Sequence, residues 1–314
     1  MISISLPLPK WLPYFVIGLV VLIVSSAAIL IRFAQAEGVS SLSIAAWRLT
    51  LAALVLCPLA LRRSLPQLLT LRRRDYALSL AAGGFLAVHF AAWISSLAHT
   101  SIASSTALVT TNPVWIALAS WLLFREKLSH TLLIGIAAAI SGSALIFLSD
   151  SRGDNPASSA NPLLGNLLSL LGSLTVCGYL LIGRHLRQFI PFLLYTWLVY
   201  SAAAAVLLGF ALFNDAPLSG YSNRVWLCLL ALAIGPQLIG HGAINWALKH
   251  VSATLIAVVI LGEPIGSALL AWLIFGERFA LLQFGGFALL LCGIFLALKG
   301  RTQAEPLAKG PTDY

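Results

Sequence analysis

Nearly the whole chain is divided into apolar stretches long enough to cross a lipid bilayer. Ten are legible, at about 12–34, 42–61, 76–97, 102–124, 131–149, 163–183, 192–213, 225–247, 253–275 and 281–299. Inside hydrocarbon no water is available to backbone N–H and C=O groups, so a spanning segment closes its hydrogen bonds internally as a helix or joins a closed barrel. Barrel strands need only about 10 residues and alternate in polarity, whereas these stretches are longer and uniformly apolar. Of the 314 residues, 60% are hydrophobic and 9% charged, against about 25% charged in a soluble domain. The expected fold class is an all-α membrane protein of ten transmembrane helices, with the lipid bilayer as its first partner.

The second half repeats the first. At an offset of 151 residues, His99 falls on His250, Pro113 on Pro264, Trp121 on Trp272, Glu126 on Glu277, Gly135 on Gly286 and Gly142 on Gly293, and 14 of the 51 pairs over 97–147 are identical. Five spans per half is an odd number, so the second half enters the membrane from the opposite side. The expected architecture is therefore two inverted five-helix repeats, 12–149 and 163–299, joined by the polar linker 150–162 and followed by a disordered cytoplasmic tail, 300–314. Duplicated, inverted membrane units are most often secondary transporters with their substrate site near the midplane.

The formal net charge of +9 reads as topology, not as a sign of nucleic acid. With both termini on the cytoplasmic side, fourteen basic residues, among them Arg72, Arg73 and Arg74, fall inside and four fall outside, the positive-inside pattern. The expected location is the cytoplasmic (inner) membrane, with multiple passes and a first helix that is retained. Residues 62–75, rich in arginine, read as the major cytoplasmic loop. Cys57, Cys177, Cys228 and Cys292 all lie in apolar spans without a CxxC pair, so no disulfide, metal or cofactor is expected. No HExxH, GxSxG or glycine-rich phosphate loop is present, which argues against a catalytic role.

Polar groups in hydrocarbon are costly and ask for a partner or a cavity. Asn112-Pro113 and Glu263-Pro264 sit at equivalent places in the two halves. A proline inside a helix frees a carbonyl and bends the axis, so Pro113 and Pro264 read as kinks and Asn112 and Glu263 as midplane substrate ligands. His89 and Trp93 share one helix face, as do Gln237, His241 and Asn245 at intervals of four. Both stripes read as cavity lining, with Trp115 and Tyr179 as aromatic walls. Arg48 reads as snorkelling to the surface or pairing with a carboxylate such as Glu263, with contact to a substrate carboxylate the lesser alternative. Glu126 and Glu277 read as solvated partners of Lys127 and Arg278. Gly135 and Gly142, and Gly286 and Gly293, are each seven apart. That spacing puts each pair on one face, where spans five and ten can approach closely. A monomer suffices for this arrangement, and a dimer is compatible with it.

Residues 263–293, EPIGSALLAWLIFGERFALLQFGGFALLLCG, and 112–142, NPVWIALASWLLFREKLSHTLLIGIAAAISG, resemble the closing element of EamA domains in the drug/metabolite transporter superfamily. Asn112 and Arg125 stand where that pattern has Glu and Gly, so the two halves are chemically unequal. The resemblance implies a ten-helix bundle that moves small metabolites, and within the family it runs toward YddG-type amino-acid exporters. The expected function is export of amino acids, aromatic and other neutral ones foremost, or of related small metabolites, by alternating access around a midplane cavity. The alternative is a carrier for another solute, such as a nucleotide sugar or a drug-like cation.

Overall fold

The computed structural model describes residues 12–124, 129–152, 161–240 and 261–304, and every regular element among them is helical. In chain order these are α1 (Leu12–Ala36), α2 (Ser41–Thr70), α3 (Arg73–Leu97), α4 (Ile102–Val109), α5 (Asn112–Phe124), α6 (His130–Ser151), α7 (Pro162–Leu186), α8 (Phe192–Phe213) and α9 (Asn223–Leu232). A π-helical segment, Ala233–Gly240, continues α9, and α10 (Gly262–Phe275) and α11 (Leu281–Ala304) close the described chain. Nine described segments are long and apolar enough to span a bilayer, and α10 is a shorter apolar helix.

The helix starts are set by short polar side chains at the ends of the apolar runs. Ser40, Ser101, Ser129, Asn161 and Ser222 each accept from the backbone N–H three residues on, satisfying a donor that has no partner within the helix. At the other end of α10, Gly276 adopts φ 66°, the left-handed closing conformation that glycine takes without a Cβ clash.

Three segments depart from the apolar pattern. The fourth span is two helices, because α4 stops at Val109 and α5 restarts at Asn112. Pro113 thus sits in the first turn of a new helix, where its missing N–H costs nothing. The hydroxyls of Thr110 and Thr111 bond back to the carbonyls of Ala107 (2.9 Å) and Leu108 (2.7 Å) at the break. The eighth span turns π-helical around Pro236. Residues 62–75 are not a long loop: α2 continues through Pro58 and Pro66 to Thr70, and α3 begins at Arg73. Outside hydrocarbon, exposed Arg62 and Arg63 are compatible with helix, so a change of polarity does not end it.

The packing is two-fold in pattern. The third span, α3, packs on the sixth, α7; its repeat counterpart, the eighth span, packs on α1. In the same way α4 contacts α7 while α10 contacts α1, and α2·α8, α4·α10 and α6·α11 each map onto themselves. The α6·α11 seam runs backbone to backbone. A Cβ on Gly135 would lie 2.4 Å from the Ala297 nitrogen, one on Gly142 2.4 Å from the Leu290 nitrogen, and one on Gly293 2.3 Å from the Ala139 nitrogen. A Cβ on Gly286 would lie 2.9 Å from the Ile146 side chain and 3.0 Å from the Gly142 carbonyl. Glycine is what lets these helices touch.

Candidate functional site: a central cavity open at one end

Between the two repeats lies a cavity of about 590 Å³, within the range of small-molecule sites. Each element delivers a few groups to it. α2 brings Arg48; α3 brings His89, Phe90 and Trp93; α7 brings Tyr179; α8 brings Tyr195 and Tyr200. The interrupted fourth and eighth spans deliver Asn112 and Pro113 at the start of α5 and Gln237 from the π segment, and the first turn of α10 brings Glu263. Both interruptions therefore open onto the same space.

The electrostatic centre is Arg48, only 3% exposed. Its Nε donates to the Gln237 Oε1 at 2.8 Å, and Gln237 is itself 1% exposed. The guanidinium lies 4.4 Å from the Phe90 ring centre and 5.7 Å from that of Trp93, a cation–π arrangement. His89 stacks on Trp93 at 6.2 Å. Its Nδ1 lies 2.8 Å from the Gly172 carbonyl, which makes Nδ1 the protonated nitrogen and leaves Nε2 as an acceptor. Tyr179 stacks on Tyr195 at 6.4 Å. Glu263 is half-buried and held by its backbone, whose carbonyl accepts from the Ser25 hydroxyl at 3.2 Å.

At the end of the bundle that carries the chain termini, exposed Arg184 and Arg187 and partly exposed Leu298 rim the cavity. The opposite end, where α6 ends and α7 begins (the linker end), is closed by a buried polar cluster. Asp150, 2% exposed, accepts from Ser104 Oγ (3.0 Å), Asn166 Nδ2 (2.7 Å) and Gln283 Nε2 (3.1 Å). Asn166 Oδ1 in turn accepts from Thr100 Oγ1 at 2.8 Å. Below it, Ser96, Ser105 and Ser169 form a hydroxyl chain. Glu277 accepts from the Ile102 backbone N–H at 3.1 Å, and its Oε1 lies 3.8 Å from Arg32 Nη2. Burial pushes the Glu277 carboxyl up, while Arg32 and the N–H groups of Ile102 and Ala103 pull it back down. Glu277 is not a solvated partner of Arg278: it is buried as an N-terminal anion of α4.

Of the sequence-nominated residues, His89, Trp93, Asn112, Tyr179, Gln237 and Glu263 meet at the cavity, as does Pro113. Trp115 does not; its Nε1 donates to Thr111 Oγ1 at 3.2 Å, which ties it to the break. Pro264 faces a second, apolar crevice with Ala103, Ala107 and Trp272. His241, Asn245 and Glu126 lie outside the described residues. Arg48 does not snorkel; it shares the cavity with Glu263 at a separation beyond a direct salt bridge, where the two opposite charges still attract. Seven residues into α2, it is roughly 10 Å from the helix start, and the neighbours that cover it come from α3 and the eighth span. Phe90, Tyr195 and Tyr200 carry no polar pattern that marks them among the other aromatics.

Comparison with known proteins agrees with this architecture. The sequence pattern of the EamA-like transporter family matches residues 11–148 and 163–299. The uncharacterized transporter YxxF of Bacillus subtilis is 23% identical over 241 residues, 76% of this chain and 75% of its own. An uncharacterized transporter of Clostridium kluyveri is 24% identical over 266 residues, 82% of this chain and 83% of its own. A solved crystal structure, 19% identical, covers 93% of this chain and 98% of its own at a TM-score of 0.62, a likeness of fold. With both repeats matched, this chain is a multi-pass membrane transporter that belongs to the EamA-like transporter family.

Proposed function

We propose that this transporter exports amino acids, aromatic and other neutral ones foremost, or closely related small metabolites, across the cytoplasmic membrane by alternating access. The observation that carries the reading is the pairing of a polar, aromatic-walled cavity with a one-sided opening: rimmed by Arg184 and Arg187 at the terminal end, shut by the Asp150 cluster at the linker end. In a carrier, those two ends exchange roles. With the termini cytoplasmic, as the basic residues argue, the described state is open inward. Aromatic walls, one buried guanidinium and one carboxylate suit a solute with a ring or apolar side chain and two opposite charges. A nucleotide sugar is the second reading, favoured by Arg184 and Arg187 at the mouth. Counterflow in proteoliposomes with labelled amino acids tests the choice. Accelerated uptake of labelled phenylalanine or leucine against unlabelled internal amino acid is expected. A response to nucleotide sugars with none to amino acids overturns the proposal.

A further inference from the structure

We propose that Arg48 and Trp93 form a built acceptor site in the cavity, for the carboxylate of the transported solute; this rests on the transport reading above and narrows its substrate class to carboxylate-bearing molecules. Arginine offers five N–H donors. Nε is matched by Gln237, but the Nη1 nitrogen is buried with no partner, and so is the indole Nε1 of Trp93. Both belong to side chains that line the same cavity, and the guanidinium lies 5.7 Å from the centre of the indole ring. Two buried donors left without acceptors, one of them on a charged group, are each costly. One anionic acceptor placed between them relieves both at once.

The surroundings say which anion. Arg48 is clamped before any solute arrives, by Gln237 on one edge and by the faces of Phe90 and Trp93. Preorganised donors lose little freedom on binding. With Nε engaged by Gln237, Nη1 is the donor left to meet a carboxylate oxygen in a charge-assisted hydrogen bond. Glu263 lines the same cavity without pairing to Arg48. A diphosphate would bring several negative charges into the field of that carboxylate, whereas a zwitterion brings one charge for each. A solute with only an amine finds no acceptor-seeking role to fill at Arg48. The structure thus separates a carboxylate-bearing solute from a drug-like cation.

The test compares three probes that share one phenylalkyl body: phenylalanine, 3-phenylpropionate and phenethylamine. Each is scored on the wild-type protein by shift of melting temperature in detergent and by flux into proteoliposomes. The expected result is that phenylalanine and 3-phenylpropionate stabilise and phenethylamine does not. In Arg48→Gln the apparent affinity for the two carboxylates falls on the order of 10- to 100-fold, the loss of a hydrogen bond to a charged group. Arg48→Lys keeps the charge without the fork and falls between the two. If Arg48→Gln does not fold, Arg48→Lys and the wild-type probe comparison carry the test. Trp93→Phe, which keeps the ring and removes the N–H, weakens carboxylates alone. Phenethylamine binding as well as phenylalanine, or Arg48→Gln moving phenylalanine like wild type, overturns the assignment. The two readings fail separately. Arg48-dependent binding of 3-phenylpropionate without any amino-acid flux would leave the carboxylate site standing and remove the amino-acid exporter. Amino-acid flux indifferent to Arg48 would do the reverse.

Discussion

At the scale of single residues, groups tied into buried networks differ from groups that line the cavity. Asp150 belongs to the first kind, because one carboxylate receives donors from α4, α7 and α11. Replacing it with alanine strands the buried Ser104 hydroxyl and Asn166 amide donors and leaves Gln283 its bond to Ser104. Asp150→Ala should lower stability in detergent by about 3 kcal/mol. It should also admit water at the linker end. A cysteine placed at Ser169, fully buried in the parent, should then react with a membrane-impermeant thiol reagent. An unchanged melting point and an unreactive cysteine would show that the cluster does not seal this end. Tyr179→Ala should do the opposite, cutting transport about tenfold or more at near-normal stability, since a cavity wall surrenders solute contact before core packing. Sequence pattern located much of this. The stripe of His89 and Trp93, and the polar residues beside the two prolines, stand out because polarity inside an apolar run is itself the signal. Arg48 and Asp150 were misjudged or missed for a common reason: whether a charge near a span end reaches water depends on which neighbours cover it, and one sequence does not carry that information.

At the scale of elements, the equivalent Pro113 and Pro264 each sit in the first turn of a helix, and Pro236 does different work. Pro113 begins a helix after a true break, and Pro236 lies in a π-helical turn that brings Gln237 to Arg48. Apolar length placed the spans well, since hydropathy is a local property. It did not distinguish a kink from a break, because that depends on the bonding of Thr110 and Thr111 and on the helices alongside. It also ended the second span too early, at the point where polarity changes but helical bonding continues. The glycine seam makes the strongest element-level prediction. Gly142→Leu or Gly293→Leu drives a side chain into facing backbone that has no room to shift. A loss of about 3 kcal/mol or more, or failure to accumulate as a monodisperse species, is expected, read by fluorescence-detected size exclusion. Gly209→Leu, where a Cβ meets nothing within 4 Å, is the control and should behave as wild type.

At the scale of the whole molecule, the exchange pattern of helix contacts follows from duplication with an odd number of spans, and that much was legible from the 151-residue offset. Orientation is checked directly. In a cysteine-free background, cysteines at the exposed positions Gln67 and Arg152 should label from opposite faces of the membrane, Gln67 only from the cytoplasmic one. Labelling of both from one face would contradict the inverted arrangement. The α6·α11 seam has a consequence for stoichiometry. It ties one repeat to the other within a single polypeptide, at the surface that a half-length unit would need a second copy to cover. Each chain then owns a complete pathway. In liposomes reconstituted with wild type and a transport-dead variant at varying ratios, flux should fall in direct proportion to the dead fraction. A steeper fall would mean that neighbouring chains share a path, and the seam would then be only half of the device that moves the solute.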